Sequence, residues 1–290
     1  MAAVLDTTRN CAPIALCLKG QGYGTVIRYY SRSAWKRLTQ EEAIGLGRRG
    51  LRIAAVYQDR QNQAADFGPA AGEAAGRNAD DYARNVIFQP PGSALYFSVD
   101  FDATEAEIKA KVIPYFKGVR QALAAAGGGV SGYRIGVYGS GLTCRLVGDG
   151  GHADLTWLAQ STGWAGYQKY LAGGKWHLKQ NMPTQVCGIE CDPDETNPAL
   201  PDFGAFLLDP DSLGPAAPPL GPAGADRFRV IARDGLRLRA GPSTQFDIRS
   251  VVPFDTTLSV LSRSGDWALV DLDGDGAADG FCHSDFLREA

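Results

Sequence analysis

The chain is 290 residues long, 44% hydrophobic and 21% charged, with a formal net charge of −3 and a sequence pI near 5.7. Such a composition suits a globular protein with a full-sized core and supplies no basic field to draw the molecule onto nucleic acid or an anionic membrane. The opening MAAVLDTTRN has no basic region leading into an apolar stretch, and no run approaches the roughly 18 apolar residues of a membrane span. Neither a signal peptide nor a span is expected, so action outside the cytoplasm would follow lysis or injection.

The first 210 residues alternate strand-like and helix-like runs. Ala2 to Leu5 is a short apolar run ending on Asp6, followed by an amphipathic segment from Ala12 to Lys19. Thr25 to Tyr30 is the second strand, Thr39-x-x-Glu42 opens a helix as a capping box, and Leu51 to Tyr57 is the third strand. An Ala-rich helix from about Pro69 to Val86 leads into YFSVDFDA, Tyr96 to Ala103, the fourth strand with two aspartates at its end. Thr104-x-x-Glu107 then caps a helix lasting to the glycines at 127 to 129. Arg134 to Tyr138, Asp154 to Ala159, Trp176 to Gln180 and Gln185 to Cys191 supply four more strands, with a brief helix at Gly166 to Leu171. Eight β runs, most separated by a helix, predict an α/β fold: a closed, all-parallel (β/α)8 barrel of TIM type.

Residues 211–226, DSLGPAAPPLGPAGAD, read as a Pro/Gly-rich linker. Residues 227–290 change to short strands spaced by turn residues, which predicts a small all-β domain. Six cysteines, Cys11, Cys17, Cys144, Cys187, Cys191 and Cys282, are too scattered for a disulfide framework or a zinc site. Free buried thiols are expected, and a disulfide between the segments around Cys11 and Cys187 stays open if those segments are neighbours.

A parallel barrel binds its ligands at the carboxyl ends of its strands. Asp6 emerges there from the first strand, Tyr29 and Tyr30 from the second, Tyr57 and Gln58 from the third, Asp100 and Asp102 from the fourth. Tyr138 follows from the fifth, Gln160 from the sixth, Gln180 from the seventh, Glu190 and Asp192 from the eighth. Five acids in one opening cannot all ionise cheaply, so one of them should hold a proton near neutrality. Two carboxyls of different protonation are what glycoside hydrolysis requires. Alternatively the Asp-x-Asp is a helix cap beside a solvated acid, or the acids hold Mg2+ or Ca2+. The expected catalytic residues are Asp102, Asp100 and Asp6, and the expected substrate-binding residues are Glu190, Asp192, Tyr57, Gln58, Tyr138, Gln180 and Tyr30. No cofactor is expected. Near the C-terminus, Asp271, Asp273 and Asp275 copy the start of a calcium-binding loop, but Cys282 stands where the bidentate Glu belongs, so an acidic hairpin turn or a weak Ca2+ site is expected.

Together LDTT at Leu5, GYGTVIRYYS at Gly22, GLRIAAVYQ at Gly50, YFSVDFDA at Tyr96 and YRIGVYGS at Tyr133 resemble the glycoside hydrolase-like domain of the DUF1906 (Rv2525c-like) group, related in fold to the family 25 lysozymes. GLRLRAGPSTQF at Gly235, SGDWALV at Ser264 and DGFCHSDFL at Asp279 resemble the bacterial SH3-like domains. The first resemblance implies a muramidase-like lysin or antibacterial effector acting on peptidoglycan glycan, with Asp102 as acid and Asp100 or Asp6 as the stabilising carboxylate. The second implies cell-wall peptide contact by the C-terminal domain. In the lysozymes the acid position is Glu. Asp102 is one methylene shorter, so a non-catalytic carbohydrate-binding protein is the other reading, and a metal-dependent hydrolase of another wall bond is a third. A monomer acting at the cell wall or periplasm is expected.

Overall fold

The computed structural model describes residues 3–208, 227–272 and 279–289. The expected linker at 211–226 lies outside them. The chain divides into two compact units, residues 1–209 and 210–290.

In the first unit β1 (Ala3–Asp6), β2 (Tyr23–Tyr30), β3 (Arg52–Tyr57), β4 (Ala94–Ser98), β5 (Arg134–Gly139), β6 (Leu155–Leu158) and β7 (Leu178–Gln180) lie side by side, each parallel to the one before. The segment expected as an eighth parallel strand is instead a hairpin, β8 (Thr184–Val186) and β9 (Ile189–Thr196). β9 runs antiparallel to both β7 and β1 and closes the barrel between them. The fold is therefore a mixed eight-stranded barrel of β1 to β7 and β9, and the expectation of an all-parallel TIM-type barrel is corrected. The cause is chain length. A parallel crossover takes about a dozen residues or more, whereas only residues 181–183 separate β7 from β8. Cys187 and Gly188 turn the hairpin with φ of 51° and 79°, and two consecutive positive φ values give the tight turn whose twist suits an antiparallel pair.

Alternation along the strands separates two layers. Val4, Ile27, Ala54, Val56, Ala94, Tyr96, Leu155, Trp157 and Leu178 fill the barrel interior. Gly136 on β5 makes room for one of the two large rings among them: a Cβ there would come within 2.3 Å of the Tyr96 ring. Residues of the other parity face the helices α1 (Ala15–Gly20), α2 (Gln40–Arg48), α3 (Pro69–Tyr82), α5 (Ile113–Ala126), α6 (Gly141–Asp149) and α7 (Tyr167–Ala172), α5 being preceded by the short α4 (Glu105–Glu107) and a π turn at Ile108–Val112. Both halves of the capping box at Thr104 form. At Thr39 only the hydroxyl caps; the Glu42 carboxylate turns inward to Arg28, since a buried guanidinium offers it more than an exposed amide.

Beneath the amino end of the barrel the chain returns as a strap. The Tyr96 hydroxyl donates to the Phe203 carbonyl at 2.8 Å, the Ala94 amide to Gly204 at 3.0 Å, and Ile53 and Phe206 exchange both backbone bonds. Cys17 on α1 is joined to Cys187 in the hairpin turn, while Cys11, Cys144, Cys191 and Cys282 are free and buried.

The second unit is one antiparallel sheet of β10 (Arg227–Val230), β11 (Leu236–Arg239), β12 (Ile248–Val252), β13 (Thr257–Ser264), β14 (Trp267–Asp271), β15 (Gly280–His283) and β16 (Leu287–Glu289), ordered β12-β11-β15-β14-β13-β10-β16. Val230, Leu236, Leu238, Leu258 and Val270 are among its core residues. Asp271 is buried at 1% exposure, and Asp273 and Asp275 lie outside the described residues.

Candidate active site

At the carboxyl end of the barrel the inward parity of six strands ends on polar groups. Asp6 is 2% exposed; its Oδ1 accepts from the Tyr29 hydroxyl at 3.0 Å and its Oδ2 from Gln180 Nε2 at 2.8 Å. The same Nε2 donates to Asp192 Oδ2 at 3.2 Å, and Gln180 Oε1 accepts from the Tyr138 hydroxyl at 2.8 Å. One amide thus ties β1, β5, β7 and β9 together. Across the mouth Gln58 Nε2 donates to Asp100 Oδ2 at 3.0 Å, and Lys36 Nζ donates to Gln58 Oε1 at 3.4 Å. Lower down, Asp194 accepts from Trp157 Nε1 at 2.7 Å. Ser98 Oγ and Asp194 Oδ2 are buried without a hydrogen-bond partner among the described residues.

The acids share one electrostatic problem. Burial pushes the Asp6 carboxyl up to about 7, and the neighbouring Asp192 and Asp100 push the same way against the hydrogen bonds from Gln180 and Tyr29. Burial holds Asp194 well above the usual carboxylate range, with Asp6 adding to it and the Trp157 bond opposing. Asp192 is raised by burial and by Glu190. Asp100, although exposed at the rim, is raised by its crowding among the mouth walls, against the Gln58 bond and the Lys36 charge. A buried carboxyl poised near neutrality can hold or release a proton under ordinary conditions. The space bordered by Tyr29, Gln58, Ser98, Asp100, Tyr138 and Gln180 is only about 40 Å³, about one or two waters in volume. A sugar ring would lie across this mouth rather than within it.

Of the residues expected from the sequence, Asp6, Asp100, Asp192, Gln58, Gln180 and Tyr138 meet here. Glu190 is exposed on β9, and it is its carbonyl that accepts from the Thr7 hydroxyl at 2.8 Å. Asp102 does not join them: it is exposed, and its Oδ1 accepts from the Ala165 amide at 2.8 Å, which fastens the end of β4 to the loop after β6. Tyr30 and Tyr57 have the outward parity and are corrected to structural roles. Tyr30 donates to Gln89 at 2.7 Å and Tyr57 to Asp59 at 2.9 Å. Tyr29, the inward neighbour of Tyr30, is the tyrosine that β2 gives to the mouth, and alternation along TVIRYY carried that signal.

Lys36, Trp35 and Asp194 are absent from the expected set. Lys36 is 8% exposed, with Nζ 5.1 Å from the Tyr29 ring centroid and 6.0 Å from that of Trp35, whose indole is 72% exposed beside it. This loop is fixed from behind. Arg28, 1% exposed, pairs with both oxygens of Glu42 at 2.7 and 3.0 Å and donates through Nη1 to the carbonyls of Thr7 and Lys36. A single buried guanidinium therefore positions the segments after β1 and β2. Among the described residues, no group of three or more His, Cys, Asp or Glu is arranged to hold a metal ion.

The barrel gathers carboxyls where its parallel strands end, in a chain that also carries a small β-sheet unit, and comparison with family models identifies it as a glycoside hydrolase-like barrel. The model of the Rv2525c-like, glycoside hydrolase-like domain family matches residues 16–192, and the chain belongs to that family. A bacterial SH3 domain matches residues 234–288. Two Bacillus subtilis (strain 168) proteins are similar: uncharacterized protein YbfG, 32% identical over 191 residues, and uncharacterized protein FadG, 27% identical over 168. Those matches cover 62% and 56% of this chain but only 26% and 29% of the relatives' own length. The crystal structure of the Mycobacterium tuberculosis Tat-secreted protein Rv2525c, in complex with HEPES, superposes with a TM-score of 0.59 at 24% identity, over 70% of this chain and 98% of that one, a likeness of fold. No helix among the described residues is long and apolar enough to cross a membrane.

Proposed function

We propose that the barrel is a cell-wall carbohydrate-binding domain whose mouth retains the carboxyls of a glycosidase without the acid of a lysozyme-type pair. The observation that carries this reading is the commitment of Asp102 to the Ala165 amide. The residue at the lysozyme acid position faces a loop, one methylene short, instead of the network of Asp6, Gln180 and Asp100. In this reading a glycan strand lies over the mouth with a sugar ring on the exposed Trp35 indole, and its hydroxyls reach the Asp100 carboxylate and Gln58. The SH3-like unit contributes wall contact of its own, and a weak second module raises the local concentration of the first at an insoluble polymer. The site of action is the cell wall or periplasm, and the working form is a monomer.

One observation favours a second reading. Asp6, pushed up to about 7, could serve as a proton donor in place of Asp102, with Asp100 as the carboxylate, which would make the barrel a hydrolase. Soluble peptidoglycan glycan strands separate the two. Saturable quenching of indole fluorescence, lost in Trp35→Ala and weakened in Gln58→Ala, is expected with no release of reducing ends. Release abolished by Asp6→Asn would establish the hydrolase, and release abolished by Asp102→Ala would restore the lysozyme assignment.

A further inference from the structure

The larger space in the barrel is at its other end. A cavity of about 420 Å³ opens among the first residues of β1, β2 and β3, the last residue of β9 and the strap beginning at Pro201. Its size falls in the range of roughly 300 to 1,000 Å³ in which small-molecule sites are found. It is separate from the carboxyl mouth, with no lining residue in common.

The walls are fixed. The strap is held by the Tyr96, Ala94 and Ile53 bonds given above. Asp202 is clamped by Arg134 through two bonds of 2.9 and 3.0 Å and also accepts from the Gly204 amide at 3.0 Å. A site this well braced needs little ordering when a ligand arrives. Its chemistry is mixed: Pro201, Phe203 and Ala205 give apolar surface, the buried Val4 and Thr25 back it, and Arg52 stands exposed at the edge. Arg52 Nη2 donates to the Ala205 carbonyl, which uses part of a guanidinium fork that carries five N–H donors in all. Asp202 is paired with Arg134, which lies outside the lining, and feels Arg52 as well; the two arginines and one carboxylate leave one net positive charge at this rim.

We propose that this cavity binds a small organic monoanion, a carboxylate on a short branched apolar body, with Arg52 engaging the carboxylate and Phe203 and Pro201 receiving the apolar part. A planar carboxylate matches the guanidinium fork. A phosphate dianion fits less well, since it would meet a single cation with the Asp202 carboxylate nearby. The inference is independent of the wall-glycan reading.

The test is titration of the isotope-labelled whole chain with sodium isovalerate, its neutral isostere isovaleramide and inorganic phosphate, followed in amide spectra. Saturable isovalerate shifts are expected at Val4, Thr25 and Ala205 but not at Gln58 or Gln180, with isovaleramide and phosphate weaker by about tenfold or more. Arg52→Met should cost isovalerate a similar factor, and Arg52→Lys should restore part of it. If Arg52→Met fails to fold, the acid-against-amide comparison on the wild type decides the same point. Absence of saturable shifts, equal binding of acid and amide, equal binding by a folded Arg52→Met, or tighter binding of phosphate would each overturn the proposal.

Discussion

The two ends of the barrel solve opposite problems with the same strands. At the carboxyl end the polar groups satisfy one another: Gln180 serves Asp6, Asp192 and Tyr138 at once, and about 40 Å³ remains. At the amino end a backbone strap braces the rim, most charge is settled between Arg134 and Asp202, and about 420 Å³ stays open beside Arg52. A dense polar network keeps carboxyls at unusual protonation in a small space, and a braced rim keeps a space open with few polar groups. The end rich in chemistry has little room and offers contact across its surface, and the end poor in chemistry keeps an open hollow of small-molecule size.

The largest expected effect breaks the carboxyl end alone. Glu42→Gln leaves Arg28 buried without its carboxylate and should cost about 3–5 kcal/mol in urea unfolding. The amides of Thr7, Lys36 and Gln58 should move while Val4 and Thr25 stay in place. A cost below about 1 kcal/mol would mean that the pair does not hold the mouth.

Next is pH. Asp6 has a folded-state pKa of about 7 against an ordinary value of 3.8, so between those values the folded chain binds more protons than the unfolded one. The contribution of this group to stability should therefore fall as pH rises from about 4 to about 7 and level off above, with a slope of up to about 1.4 kcal/mol per pH unit. Asp6→Asn should flatten the profile, leaving a smaller slope of the same sign from the raised Asp100, Asp192 and Asp194. A wild-type profile flat over that window would show Asp6 to be an ordinary carboxylate.

The smallest effect sharpens the comparison at the rim. Lys36 lowers Asp100 and reaches it through Gln58. Lys36→Met should move the Asp100 carboxyl upward in a carbon-13 titration, and Lys36→Arg should hold it. An unmoved resonance would remove Lys36 from the site.

Much of this was legible in the chain. Periodicity located the first seven strands, and the acids at Asp6 and Asp100 followed from strand ends, whereas Asp192, expected at the end of a parallel eighth strand, enters from the start of antiparallel β9. Period-two alternation, applied strictly, would also have chosen Tyr29 over Tyr30 and set Tyr57 outside. The direction of β9 was written in a connection too short for a crossover, but QVCGIEC reads equally as one strand until Cys187 and Gly188 are seen at positive φ. Two features were not legible. The partner of Asp102 is an amide 63 residues away on another loop. The burial of Lys36, which as a loop lysine would ordinarily be solvated, depends on Tyr29 and Gln58 from two strands. Such contacts follow from closure of the barrel rather than from any local run of residues.

The mouth is expected to hold wall glycan without cutting it. The direct measurement is reducing-end release from soluble peptidoglycan glycan strands incubated with the whole chain at a concentration that saturates the Trp35 quench. The expected result is complete binding with reducing ends at the level of the protein-free blank; release that grows with protein and disappears in Asp6→Asn or Asp102→Ala would contradict it.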